Sequence, residues 1–176
     1  MKTGIALLAV CLLVPLAAVA AGNDKNIVVQ VDKFTGKTMV SMKEISLGQG
    51  FTNSAHPNDL VGIYLSAFFS PGPNPTALVI TCYSSNWQFL GGADVRLLVD
   101  GERIDLGHFA KMKGNVDRGV VTDTIAGPVS RSVFEKIAGA KIVEMQFGTY
   151  ETKLKDKCLD RVRAFVAALP VESAVK

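Results

Sequence analysis

The sequence predicts an α+β fold, a mostly antiparallel β-sheet with a short helix and a C-terminal amphipathic helix packed on one face. Three observations predict it. Runs of β-branched and aromatic residues with loose period-two alternation recur from residue 27 to residue 126. An Asp100-Gly101 pair stands between two such runs, the strongest short hairpin signal, because both central positions of the tight turn take positive φ. Helical periodicity appears only near the end, in two segments, as in folds where helices are segregated from the strands.

The first residues are an address rather than part of the fold. Lys2 precedes an unbroken apolar run from Ile5 to Leu13, and small residues end in Ala18-Val19-Ala20. This is the layout of a secretory signal peptide with cleavage after Ala20 or Ala21. Pro15 interrupts the run, and the span to Ala21 barely reaches the roughly 17 residues a membrane-crossing helix needs. Cys11 would be the lipidated residue of a lipoprotein, but Val10 before it is not the small residue that such processing takes. The reading is therefore a signal peptide over residues 1–20 and a single domain over 21–176. It places the protein in the periplasm or secreted, with no transmembrane segment in the mature chain.

Along that domain, Ile27 to Asp32 and Thr38 to Met42 form a hairpin turning near Thr35-Gly36. Glu44 to Asp59 is polar and punctuated by Gly48, Gly50 and His56-Pro57, which predicts a long surface loop. Tyr64 to Phe69 and Ala77 to Tyr83 pair across a loop forced by Pro71, Pro73 and Pro75. Val95 to Leu106 is the Asp-Gly hairpin, with Val95, Leu97 and Val99 on the core face, and Gly119 to Ala126 is a further strand. Ser132-Val133-Phe134-Glu135 fits a capping box opening a short helix that Gly139 closes in the left-handed conformation. Lys141 to Tyr150 alternates as a strand, with Val143, Met145 and Phe147 inward. From Lys153 to Leu169 an apolar stripe of Leu154, Cys158, Val162, Phe165, Val166 and Leu169 predicts the last helix, which Pro170 ends.

Several segments together support a resemblance. Ser85-Asn86-Trp87-Gln88-Phe89, Leu98 to Ile104, Val129-Ser130-Arg131 through Lys141, Val143-Glu144 and Arg163-Ala164-Phe165 follow an Asp32-Lys33-Phe34-Thr35-Gly36 start. In this order, over roughly residues 32–169, the chain resembles a group of uncharacterised secreted bacterial α+β domain proteins. The shared motifs are hairpin, cap and packing signals. The resemblance implies a bacterial envelope setting and transfers no mechanism.

Composition narrows the function classes. The whole chain holds 19 Lys+Arg against 16 Asp+Glu, a formal charge of +3, too small for a nucleic-acid footprint. Lys111 and Lys113 are isolated, and Lys153, Lys155 and Lys157 are interleaved with acids on an amphipathic helix. Gly36-Lys37-Thr38 imitates the end of a phosphate-binding loop, but Val31 stands where its first glycine belongs and a strand, not a helix, follows. His56 and His108 lie outside any metal-ligand spacing, even with Asp59 and Asp105 near them in sequence. Asp94, Asp100, Glu102 and Asp105 lack the calcium-loop pattern. There is no G-x-S-x-G elbow. No metal or other cofactor is expected.

Two cysteines remain beyond the signal, Cys82 and Cys158. In an oxidising compartment they are expected to form one structural disulfide. Trp87, with Phe68 and Tyr83, is the candidate ligand- or partner-binding surface, because aromatic anchors carry much interface energy. The function expected is a non-catalytic binding domain for an envelope protein or a small ligand, including a small apolar ligand held between sheet and helices. The alternative is an exported hydrolase with a spatially assembled site in which His108 or His56 acts as base.

Overall fold

The computed structural model describes residues 24–53, 56–72, 75–112 and 114–170, with backbone only for 49–53 and 56–61. The expected signal peptide, Cys11 and Lys113 lie outside the described residues, as do the side chains of His56 and Asp59.

Ten strands form one sheet: β1 (Ile27–Val31), β2 (Thr38–Asn53), β3 (His56–Phe69), β4 (Thr76–Ser84), β5 (Ala93–Val99), β6 (Glu102–Lys111), β7 (Asn115–Asp117), β8 (Val120–Pro128), β9 (Val143–Phe147) and β10 (Tyr150–Lys153). Two helices, α1 (Arg131–Gly139) and α2 (Asp156–Ala168), complete the described residues. The spatial order is β1-β2-β3-β4-β8-β6-β5-β9-β10, with β7 paired to β8 and every pairing antiparallel. The sheet curls into a half-barrel. Inward residues of the strands and the apolar faces of both helices form one continuous core, so the curl, which strand twist favours, wraps the sheet around its helices.

The Asp-Gly hairpin forms as the sequence predicts. Asp100 at φ 47° and Gly101 at φ 89° join β5 to β6, the positive pair that matches strand twist. The Asp100 carboxylate also accepts the backbone N–H of Ile142 at 2.8 Å and of Lys141 at 3.1 Å. The turn is thereby fastened to the start of β9. The β1–β2 turn is held similarly, with Asp32 accepting the N–H groups of Phe34 at 2.8 Å and Thr35 at 3.1 Å.

Four expectations are corrected. The described residues of the expected 44–59 loop are strand instead: 44–53 end β2 and 56–59 begin β3 in a long β2–β3 hairpin. Its register shifts four times between Met42 and Asn53, and each shift resets the side-chain alternation, so no clean period survives in the sequence. The Lys141 to Tyr150 strand is two strands, β9 and β10, turning at Gly148 with φ 57°. Residues Lys153 and Leu154 therefore precede α2, and Leu154 donates its N–H to Val143 in β9. The cap of α1 is Ser130 rather than Ser132: its hydroxyl accepts from Val133, while Glu135 pairs with Arg131 and Ala140 ends the helix in extended conformation.

The fourth correction concerns the cysteines. Cys82 and Cys158 are both buried thiols, and the expected disulfide between them is not made. Cys82 sits in β4, whereas α2, which carries Cys158, packs over β1 and β2 at one end of the sheet. Both act as small apolar core residues, and burial pushes the pKa of the Cys158 thiol up to about 11, partly opposed by Arg161.

The helices pack on each other through Phe134 and Phe165, whose ring centroids stand 5.2 Å apart. Arg163 ties them further, donating to the carbonyls of Ala138 at 2.8 Å and Ala140 at 3.1 Å at the end of α1, where a cation complements the helix dipole.

Candidate functional site

Three arrangements carry polar or aromatic chemistry. The first closes one end of the half-barrel. Asp123 on β8 points inward, opposite Cys82 and in line with Ile125, and is fully buried. One carboxylate oxygen accepts the backbone N–H groups of Gln88 at 2.9 Å and Phe89 at 2.6 Å. This pins the β4–β5 loop, residues 85–92, across the barrel end and seats Phe89 beside Phe147 and Tyr150. Tyr150 donates to the Gln88 side chain at 2.7 Å. Lys111 lies 3.8 Å from the other Asp123 oxygen and 4.0 Å from the centre of the Trp87 ring. Gly114 makes room for that ring: a Cβ there would stand 2.3 Å from it.

The expected aromatic surface is distributed rather than gathered. Trp87 is 36% exposed and Phe68 40%. Tyr83 is half-buried, edge-on to Tyr64 and donating to Glu44. Tyr83 pairs with Gly62, while Phe68 pairs with Ala77 six residues along the same ladder, which puts Tyr83 and Phe68 about 20 Å apart.

The second arrangement is His108. Its Nδ1 stands 3.0 Å from Asp94 Oδ1 and its Nε2 3.0 Å from the Gly91 carbonyl oxygen. Both partners are acceptors, so the imidazolium, with two N–H groups, satisfies the site best. The Asp94 bond first, then the Gly91 carbonyl, raise its pKa above the ordinary histidine value. With both nitrogens engaged, His108 has no free lone pair for a substrate proton.

The third arrangement is a furrow of about 490 Å³ on the outer face of β6, β5, β9 and β10. Its geometry follows from register. Arg103, Leu98, Glu144 and Lys153 are consecutive cross-strand neighbours and make one wall; Arg96, Gln146 and Glu151 make the other. Between the two rows the floor is the main chain at Leu97, Met145 and Thr152, with the Leu97 and Met145 side chains buried in the core on the other face. The second wall is internally bonded. Arg96 donates to Gln146 at 3.2 Å, Gln146 donates to Glu151 at 2.7 Å, and Asp94 and Asp105 flank the guanidinium at 3.7 and 3.6 Å. In the first wall Arg103, Glu144 and Lys153 are exposed and, among the described residues, make no ion pair. A second depression of about 570 Å³ shares Leu98 and Glu144 with the furrow and adds Asp100, Lys141 and Ile142. Leu98 and Ile142 are 40% and 45% exposed.

No family model, curated protein or solved structure matches the chain. Among the described residues no group of three or more His, Cys, Asp or Glu side chains is placed to hold a metal ion, and no helix is long and apolar enough to cross a membrane. The four acids weighed for calcium are all engaged: Asp94 with His108 and Arg96, Asp100 with backbone, Glu102 with Lys136, and Asp105 with Gly107 and Arg96.

Sequence reasoning missed Asp123 and the furrow. A signal for Asp123 was present: an acid on the apolar side of the alternation Val121, Asp123, Ile125 implies a buried partner. The furrow had none, because it depends on which strands lie side by side.

Proposed function

We propose that the chain is an exported, non-catalytic binding domain of the bacterial envelope, and that its ligand-contacting surface is the furrow on the outer face of β6, β5, β9 and β10. Export rests on the signal-peptide layout of residues 1–20. The observation that carries the binding assignment is the first furrow wall, where charged ends and an exposed leucine stand uncommitted above the floor of the furrow. A concave site with a few convergent polar groups is the default place for a ligand. The hydrolase alternative is weakened by His108, whose two ring nitrogens are both engaged.

Amide chemical-shift mapping on residues 21–176, with a panel of short peptides and sugars, tests the assignment. Shifts concentrated on Leu97, Leu98, Met145 and Thr152 are expected. Shifts confined to the loop carrying Trp87, or to the surroundings of Tyr83 and Phe68, would move the site there, and an unresponsive furrow would remove it.

A further inference from the structure

The charge pattern of the first wall specifies a ligand. Resting on the furrow assignment above, we infer that the furrow takes an extended peptide in which two acidic side chains flank an apolar one, in the pattern acid-x-apolar-x-acid. The wall runs Arg103, Leu98, Glu144, Lys153 across four strands. With neighbouring strands about 4.8 Å apart, its two cations stand roughly 14 Å from each other. An extended peptide advances about 3.3 Å per residue and shows every second side chain on one side. Residues i and i+4 of such a peptide are therefore about 13 Å apart, close to the separation of Arg103 and Lys153.

Residue i+2 then falls between Leu98 and Glu144. Leu98 is 40% exposed and offers apolar contact there, while the Glu144 carboxylate repels an acid at that position. This gives selection against a uniformly acidic peptide as well as attraction toward the favoured one. The opposite wall adds rigidity rather than choice: Arg96, Gln146 and Glu151 are already bonded to one another. Three cations against two acids line the furrow, so a polyanion such as nucleic acid meets repulsion at Glu144 and Glu151. An open furrow of about 490 Å³ crossing the strands suits a chain passing over the surface, not a compact molecule enclosed by it.

The test uses three peptides with blocked termini, Glu-Ser-Leu-Ser-Glu, Glu-Ser-Glu-Ser-Glu and Lys-Ser-Leu-Ser-Lys, titrated at low ionic strength into residues 21–176 and followed by amide shifts. The first is expected to shift Leu97, Leu98, Glu144, Met145 and Thr152. It should bind several-fold tighter than the second, and the double variant Arg103→Glu with Lys153→Glu should weaken it about tenfold, an effect screened by salt. Both substituted side chains are exposed, and an unchanged amide spectrum elsewhere verifies the fold of the variant. If only the lysine peptide shifts the furrow, the ligand class is wrong and the furrow assignment stands. If no peptide of the three shifts it, and sugars do not either, both fall. Equal affinity for the first two peptides, or no loss in the double variant, also overturns the inference.

Discussion

Replacing Asp123 with alanine isolates the group that closes the barrel end. The carboxylate is fully buried and accepts two backbone N–H groups, from Gln88 and Phe89, on one oxygen. A hydrogen bond to a charged group contributes about 1.5–3 kcal/mol, and a buried donor left unpaired costs about 1–3 kcal/mol. Against this stands the desolvation of the carboxylate, which alanine relieves. Lys111, 3.8 Å away and only 25% exposed, loses its counter-charge in the same step. Removing one partner of a buried pair costs about 3–5 kcal/mol, and that is the expected loss for Asp123→Ala. Asparagine separates the contributions. With its carbonyl in place of the accepting oxygen, Asp123→Asn retains both backbone bonds but turns its amide NH2 toward Lys111. Its expected cost is about 1–2 kcal/mol, and Lys111→Met should recover part of it. Urea unfolding at neutral pH, followed by far-UV circular dichroism and by Trp87 emission, measures all of these. A loss below about 1 kcal/mol for the alanine variant, or equal losses for alanine and asparagine, would refute the clamp.

The remaining expectations are independent of it. His108 should titrate above the ordinary value of about 6.5, because its raised pKa reflects bonds to Asp94 and Gly91. A group whose folded pKa is raised stabilises the fold fully below its unfolded pKa, and that contribution disappears as pH rises through the folded value. The stability difference between the protein and His108→Gln should therefore be largest below about pH 6.5 and shrink as pH rises above it; the reverse trend in paired urea curves would contradict the geometry. Residues 21–176 should show no thiol accessible to a chromogenic disulfide reagent while folded and two after unfolding without reductant, because Cys82 and Cys158 are buried and not bridged to each other. Finding none after unfolding would establish the bridge instead. Phe134→Ala should cost about 3–5 kcal/mol in chemical denaturation, since that ring is fully buried against Phe165; a loss under about 1 kcal/mol would mean the helix pair does not pack through it.

The legible parts of the fold were those decided by neighbours in sequence. Asp100-Gly101 specifies its turn because two adjacent residues tolerate positive φ. The strand alternation of Val95, Leu97 and Val99 and the stripe of Cys158, Val162 and Phe165 identify buried faces, since burial follows the period of the local backbone. The inner part of the β2–β3 hairpin, unlike its outer segments Thr38 to Met42 and Tyr64 to Phe69, was illegible for the same reason: four register shifts break the period on which such reading depends. The boundary between β10 and α2 was hidden because Leu154 fits a helical stripe, yet its N–H is bonded to Val143 across the sheet.

By itself, then, the sequence determined a strand-rich chain with two helices near its end, its tightest turn, the core faces of β5, β9 and the last helix, and the expectation of export. Only the tertiary structure decided the order in which the strands lie, and with it everything that depends on lateral neighbours. Arg103, Leu98, Glu144 and Lys153 are scattered between positions 98 and 153 and become one wall through three strand pairings. Asp123 reaches Gln88 and Phe89 in the same way. Local propensity sets which face a side chain occupies, but long-range hydrogen bonding and burial choose whom it meets there.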